Sequence, residues 1–153
     1  MRTGTKKIIT RIIIFLLVAG ALAAVYIYRE YNRKLPDTMN MKADQVITGD
    51  ELIAAFEKND SLAGKRFMDQ VIQVSGKVRE LQEESGGLLT VVLGGEQNAS
   101  AVRCSVDSIH RDGFRNIRNG QSITLKGICT GFNKDELLGS DVVLVRCVIT
   151  NNN

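Results

Sequence analysis

The sequence predicts a mainly β fold: a small closed barrel of five strands, with a capping helix on its N-terminal side and one apolar helix ahead of both. Three observations predict it. Residues 12–28 carry no charge. Five later runs are strand-like, and the clearest of them alternate apolar and polar residues with a period of two, as strands with one buried face do. Two of those runs, VIQVSGKVREL (71–81) and SITLKGICTGF (122–132), hold a glycine mid-run, where a strand turning a barrel corner must bend.

The apolar segment comes first. RTGTKK leads into IITRIIIFLLVAGALAAVYIY, and the 17 uncharged residues from Ile12 to Tyr28 are at the short end for a membrane-spanning helix of about 20 residues. Arg11 can snorkel and add a turn, and Tyr26, Tyr28 and Tyr31 cluster at the far end, where aromatic rings favour the bilayer interface. Ala21-Leu22-Ala23 fits a small-x-small cleavage site, but the apolar run continues past it, which favours an uncleaved anchor over 1–28. Four basic residues precede the span and four follow it, so the positive-inside count nearly ties. A basic start running directly into the apolar stretch keeps the amino end in the cytoplasm and puts the domain on the periplasmic or extracellular side. Residues 29–46 contain the only proline, Pro36, show no sustained periodicity, and read as a linker.

The domain is expected over 47–150, with a short tail at 151–153. Thr48 and Glu51 have capping-box spacing, and Leu52, Ile53 and Phe56 fall on one helical face. About one more helical turn precedes Gly64. In the first strand Ile72, Val74, Gly76 and Val78 share one side and Gln73, Ser75, Lys77 and Arg79 the other. EESGG is a hairpin turn, LLTVVLGG the second strand, and AVRCSV the third, with Val102, Cys104 and Val106 inward. DSIHRDGFRNIRNGQ has room for a short helix. SITLKGIC is the fourth strand, with Ile123, Leu125, Gly127 and Cys129 on one face; TGFNKDELLGSD is a loop, and DVVLVRCVI the fifth strand. Five strands with a helical insert between the third and fourth is the order of an OB barrel.

Charge and chemistry then narrow the function. Residues 1–43 carry eight basic and two acidic groups and residues 44–153 carry 12 basic and 15 acidic ones, so the basic excess lies outside the domain. That argues against a polyanion partner, which a basic face would attract. Cys104, Cys129 and Cys147 show no CxxC spacing, and with one histidine, His110, they match no common zinc framework; no metal or cofactor is expected. They read as buried thiols. Should one disulfide form in an oxidising compartment, Cys129 with Cys147 is the expected pair, because the fourth and fifth strands form a hairpin. His110 lies in a polar connection beside Arg111 and Asp112 and reads as exposed rather than as a general base. No phosphate loop, Gly-x-Ser-x-Gly motif or metal pair occurs, so the chain is not read as an enzyme. Asn98-Ala99-Ser100 matches a glycosylation acceptor and reads as chance.

The runs ITGDELIAAFEKNDSLAGKRF, VIQVSGKVREL, VRCSV, NGQSITLKGICTGF and DVVLVRCVI resemble those of the tRNA-anticodon-binding-like OB family, over about residues 46–149. NGQSITLKGICTG and DVVLVRC are the most specific parts, and YIYREYN after the apolar run also resembles anchored members. The resemblance implies a small bacterial envelope protein with an N-terminal anchor or lipoprotein signal. The family's name implies nucleic-acid binding, and no catalytic residues carry over.

Two readings of function result. The first is a membrane-anchored, non-enzymatic OB module that binds a protein or another envelope component, with oligomeric state open. The alternative is single-strand nucleic-acid binding, for which OB domains use aromatic platforms on strands two and three above a cationic groove. Those strands contain no aromatic residue. The domain's aromatics, Phe56, Phe67, Phe114 and Phe132, are expected in core or loop packing. Lys77, Arg79, Arg103 and Lys126 fall on outward strand positions and are the candidate ligand-facing surface.

Overall fold

In the computed structural model, residues 3–31, 36–83, 86–95, 99–135 and 139–150 are described. Part of the expected linker (32–35), part of the EESGG turn, the Asn98 of the glycosylation pattern and the 151–153 tail lie outside them. The chain forms two units, Met1–Leu35 and Pro36–Asn153.

The first unit is one helix, α1 (Thr3–Tyr31). Its stretch Ile14–Tyr31 is long and apolar enough to cross a membrane: 18 residues rise about 27 Å, close to the hydrocarbon thickness of about 30 Å.

The second unit is the barrel. Its strands are β1 (Gln45–Thr48), β2 (Val71–Glu83), β3 (Leu89–Leu93), β4 (Ala101–Val106), β5 (Ser122–Asn133) and β6 (Asp141–Ile149). They follow the order β1-β2-β3-β4-β6-β5, and β5 returns to pair with β2 and close the barrel. Strand β2 is long enough to serve two neighbours. Its first half, from Val71 to Lys77, pairs with β5, and its second half, from Val78 to Glu83, pairs with β3, with a register shift between Val78 and Glu80. Inward positions on all five closing strands are buried, among them Val74, Val91, Val102, Leu125 and Leu144, each 0% exposed.

The capping box forms as the spacing predicts. The Thr48 side chain accepts from the Glu51 N–H, and the Glu51 carboxylate accepts from the Thr48 N–H, starting α2 (Gly49–Lys58). Leu52, Ile53 and Phe56 are buried in the core. Phe56 also stacks on Phe132 at 4.9 Å, and Phe67 and Phe114 are buried, so no aromatic of the domain forms an exposed platform.

The compact unit begins at Pro36. Four features differ from the element-by-element expectation. Residues Gln45–Thr48 add the sixth strand, β1, parallel to β2 along Ile72–Ser75, covering the part of that edge which β3 does not reach and removing an open template for pairing. The turn before Gly64 is a full second helix, α3 (Asp60–Phe67), because the Asn59 side chain accepts from the Leu62 N–H and caps it. Thr130–Asn133, expected in a loop, continue β5 against β6. The short helix expected after the third strand is a 3-10 helix, Ser108–Phe114.

Candidate ligand-binding surfaces

Strand alternation puts Arg103 outward on β4, but the side chain is already engaged. Its Nε donates to the Asp141 carboxylate at 2.6 Å and its Nη1 to the Gln82 side-chain carbonyl at 3.2 Å. The Gln82 amide in turn donates to Glu80 at 3.0 Å. One guanidinium therefore ties β2, β4 and β6 together, in a chain that includes two carboxylates. Beside it, Arg111 of the 3-10 helix donates to the Gly87 carbonyl and pairs with Glu83, holding the end of β2 and the turn after it. Arg79 sits half-buried at the β2 register shift. The outer face of β2, β3 and β4 is thus a cross-linked polar surface of mixed charge.

Lys126 lies elsewhere and is not a surface group. It is outward from the barrel on β5, yet only 8% exposed, because residues 36–44 lie over it as a strap. Its ammonium donates to the Met39 and Met41 carbonyls at 2.8 and 2.7 Å. Two further cationic or polar side chains hold the same strap. Arg146 donates to the Pro36 carbonyl at 2.7 Å, and His110 Nε2 meets both Asp37 oxygens at 2.9 Å. The Met39 N–H, followed by the His110 ring, holds the Asp37 carboxyl below its ordinary value of 3.8. His110 is therefore half-buried and partnered rather than solvent-exposed. Arg146 can reach the strap because it is an extra residue in β6, in the left-handed region at φ 54°, where the pairing with β4 and with β5 shifts register. A bulge re-aims a side chain in this way.

The same bulge decides which thiols meet. With Arg146 looped out, Leu144 and Cys147 both point inward. Cys147 then lies against Cys104, whose thiol, after burial itself, helps push the Cys147 thiol well above its ordinary range. Cys129 pairs across with Leu144, and burial pushes it up to about 11. All three cysteines are buried free thiols. Cys104 and Cys147 are side-chain neighbours.

Lys77 lies at an open concavity. An open cleft of about 980 Å³ runs along the outer surface of β1, β2 and β5 to the segment after the 3-10 helix, lined by Thr48, Ser75, Lys77, Ser122, Thr124 and Thr150 among others. Lys77 pairs with Ser122 and Lys126 with Gln73, so the two lysines stand four residues apart, roughly 13 Å along the strands. The structure does not gather Lys77, Arg79, Arg103 and Lys126 into one cationic groove.

A family model, tRNA_anti-like, matches residues 1–149. The chain belongs to the tRNA_anti-like family. No curated protein matches it. Among solved structures, this tRNA_anti-like protein is similar to a candidate nucleic acid-binding lipoprotein from Klebsiella pneumoniae, at 13% identity and a TM-score of 0.56, covering 78% of this chain and 100% of that one. That likeness is one of fold. Other similar structures are an OBody bound to hen egg-white lysozyme (16% identity, TM-score 0.42, 57% of this chain and 88% of that one) and a candidate aspartyl-tRNA synthetase from Leishmania major (9% identity, TM-score 0.45, 88% of this chain and 26% of that one).

Proposed function

We propose that this tRNA_anti-like protein is a non-enzymatic OB binding module, tethered to a membrane through Ile14–Tyr31, with its barrel on the periplasmic or extracellular side and a protein or other envelope component as its partner. One observation carries the reading. On the outer face of β2, β3 and β4, where OB domains hold single strands, Arg103 is bound to Asp141 and Gln82. The strands there contribute valines, threonine and serine but no aromatic. A single strand would have to break that ion pair, approach Glu80 and Asp141, and find no ring to stack on. Counterion release supplies most of the affinity of such sites, and this face has little net positive charge to supply it.

Nucleic-acid binding is the second reading. It is favoured by the assignment given to the Klebsiella lipoprotein and by Lys77 at the open cleft. Titration of the full chain in detergent micelles with labelled single-stranded DNA and RNA, at low and then moderate salt, separates the two. The expected result is no saturable binding at low salt. Binding that weakens steeply with salt and is lost in Arg103→Ala would replace the first reading with the second. In-cell crosslinking through the barrel should capture an envelope partner; a chain that crosslinks to nothing there would count against the module.

A further inference from the structure

The register of four strands places four hydroxyl side chains in one row. Thr48 of β1 is opposite Ser75 of β2, and Ser75 is opposite Thr124 of β5. Leu125 is opposite Ile149 of β6, so Thr150, whose N–H and hydroxyl both donate to the Thr124 carbonyl, closes the row. Their neighbours Ile47, Val74, Ile123 and Ile149 belong to or pack on the core, so all four hydroxyl residues point outward, and all four line the open cleft. Three inter-strand spacings of about 4.8 Å give the row a length of about 14 Å.

We propose that this row is the floor of a saccharide-binding site, the cleft taking a short neutral oligosaccharide. The proposal names a ligand class for the binding-module reading and rests on it. The chemistry of the cleft selects among ligands. Its charged lining groups are Lys77 and Asp50, which cancel, so a polyanion gains little there. One carboxylate does not make a cation site, and among the described residues no group of acidic, histidine or cysteine side chains could hold a metal. What remains is a dense set of groups that both donate and accept. The Ser75 and Thr124 hydroxyls, half-buried, have no hydrogen-bond partner among the described residues. The Thr48 hydroxyl is fixed by donating to Glu51 at 2.9 Å, and that of Thr150 by donating to Thr124 at 3.2 Å; each keeps acceptor capacity toward the cleft. A ligand whose own surface alternates hydroxyls with C–H faces fits such a floor, with the half-buried Ile117 at the cleft for the C–H faces. Hydroxyls held by strand pairing are pre-organised, so little side-chain entropy is lost on binding.

The test is a nitrogen-15 amide-shift titration of the full chain in detergent micelles. Separate arms use chitotetraose, cellotetraose, oligo-dT and inorganic phosphate, each to about 10 mM, a range that reaches millimolar affinities. The expected result is saturable shifts with at least one of the two sugars, concentrated at Thr48, Ser75–Lys77, Ser122–Thr124 and Thr150. Ser75→Ala with Thr124→Val, which keep the strands, should weaken that binding about tenfold, as loss of one to two neutral hydrogen bonds implies. The amide spectrum of each variant shows directly whether the barrel remains folded. No shift with either sugar, or sugar shifts outside the row, overturns the proposal. So does binding by oligo-dT or phosphate that Lys77→Met abolishes. If the sugars fail while in-cell crosslinking still captures a partner, the saccharide site is wrong and the binding module stands; if both fail, both are wrong.

Discussion

Gly127→Ala should be the most damaging glycine-to-alanine change within the barrel strands, and the structure says why. A Cβ built at 127 stands 2.5 Å from the Cys147 sulfur, 3.2 Å from the Val145 carbonyl oxygen and 3.3 Å from the Leu144 Cβ. Two of these neighbours lie on the backbone or next to it, and the sulfur belongs to a side chain that is 0% exposed, so none can swing away. Overpacking of this kind costs about 1–3 kcal/mol, and the 2.5 Å approach puts the expected value near the top, about 3 kcal/mol. Gly76→Ala is the internal control. There the closest atom is the Leu93 Cβ at 3.3 Å, and the expected cost is below about 1 kcal/mol. Cys147→Ala alone removes one buried sulfur, at a cost of about 1 kcal/mol. Combined with Gly127→Ala it also vacates the space the new methyl needs, so the double variant should be about 1–2 kcal/mol more stable than additivity predicts, a coupling typical of side chains in contact. Urea unfolding of residues 36–153, read from midpoints at constant slope, measures all four corners of the cycle. A Gly127→Ala variant within about 0.5 kcal/mol of the parent, or strict additivity with Cys147→Ala, would refute the packing account.

Three further outcomes can be checked. Lys126→Met keeps the four-carbon stem but removes the donor to Met39 and Met41; hydrogen exchange should speed up by about tenfold or more across residues 37–44 while β2–β6 amides stay protected. The folded pKa of Asp37 is lowered by the Met39 N–H and then by His110, and that of Glu51 by the Thr48 N–H and hydroxyl. The stability each contributes is therefore complete above its ordinary value and lost as pH falls below it, so Asp37→Asn and Glu51→Gln should each flatten the stability loss measured by urea unfolding below about pH 4.5. The thiols should resist alkylation at pH 8 until the barrel unfolds, because Cys129, pushed to about 11 by burial, is about 0.1% thiolate there. If an oxidant forces a disulfide, peptide mapping should find Cys104 joined to Cys147.

How much of this was legible depended on how far each cause reaches along the chain. The Thr48–Glu51 box spans three residues and was readable as a spacing. The inward sets of β2, β4 and β5 were readable as period two, and with the helical insert they were enough to give the OB order. The strap was not readable, because residues 36–44 have no periodicity of their own and the groups holding them are 73 to 110 residues away. Lys126 was misplaced for the same reason: alternation correctly points it out of the barrel, but alternation does not report what lies on top. The β6 bulge leaves only an arginine where a valine-rich run would continue, and without it the Cys104–Cys147 neighbourhood does not follow. One missed signal was local and could have been found: Asn59 before Asp-Ser-Leu is a helix cap, and it announces α3. The hydroxyl row needed the partners of four strands, of which the sequence shows only the individual Thr and Ser residues.

These pieces divide the outside of the barrel unequally. Along β3 and β4 the surface is tied shut by Arg103 bridging Gln82 and Asp141. Along β5 and β6 the strap lies over Lys126, and Val148 is 1% exposed. In register, Val46, Gln73, Lys126 and Val148 form the row next to Thr48, Ser75, Thr124 and Thr150. On β5 and β6 that first row is covered and the second is left open to the cleft. The strap thus does more than link two units. By occupying Lys126 it takes one of the two lysines on that face out of reach of a ligand, and it leaves beside it a floor of hydroxyls with one lysine and one aspartate in the lining. A barrel in which an outward strand lysine binds its own backbone is poorly suited to polyanions and better suited to neutral, hydrogen-bonding surfaces. That internal use of Lys126 favours the binding-module reading and keeps the hydroxyl-floored cleft neutral.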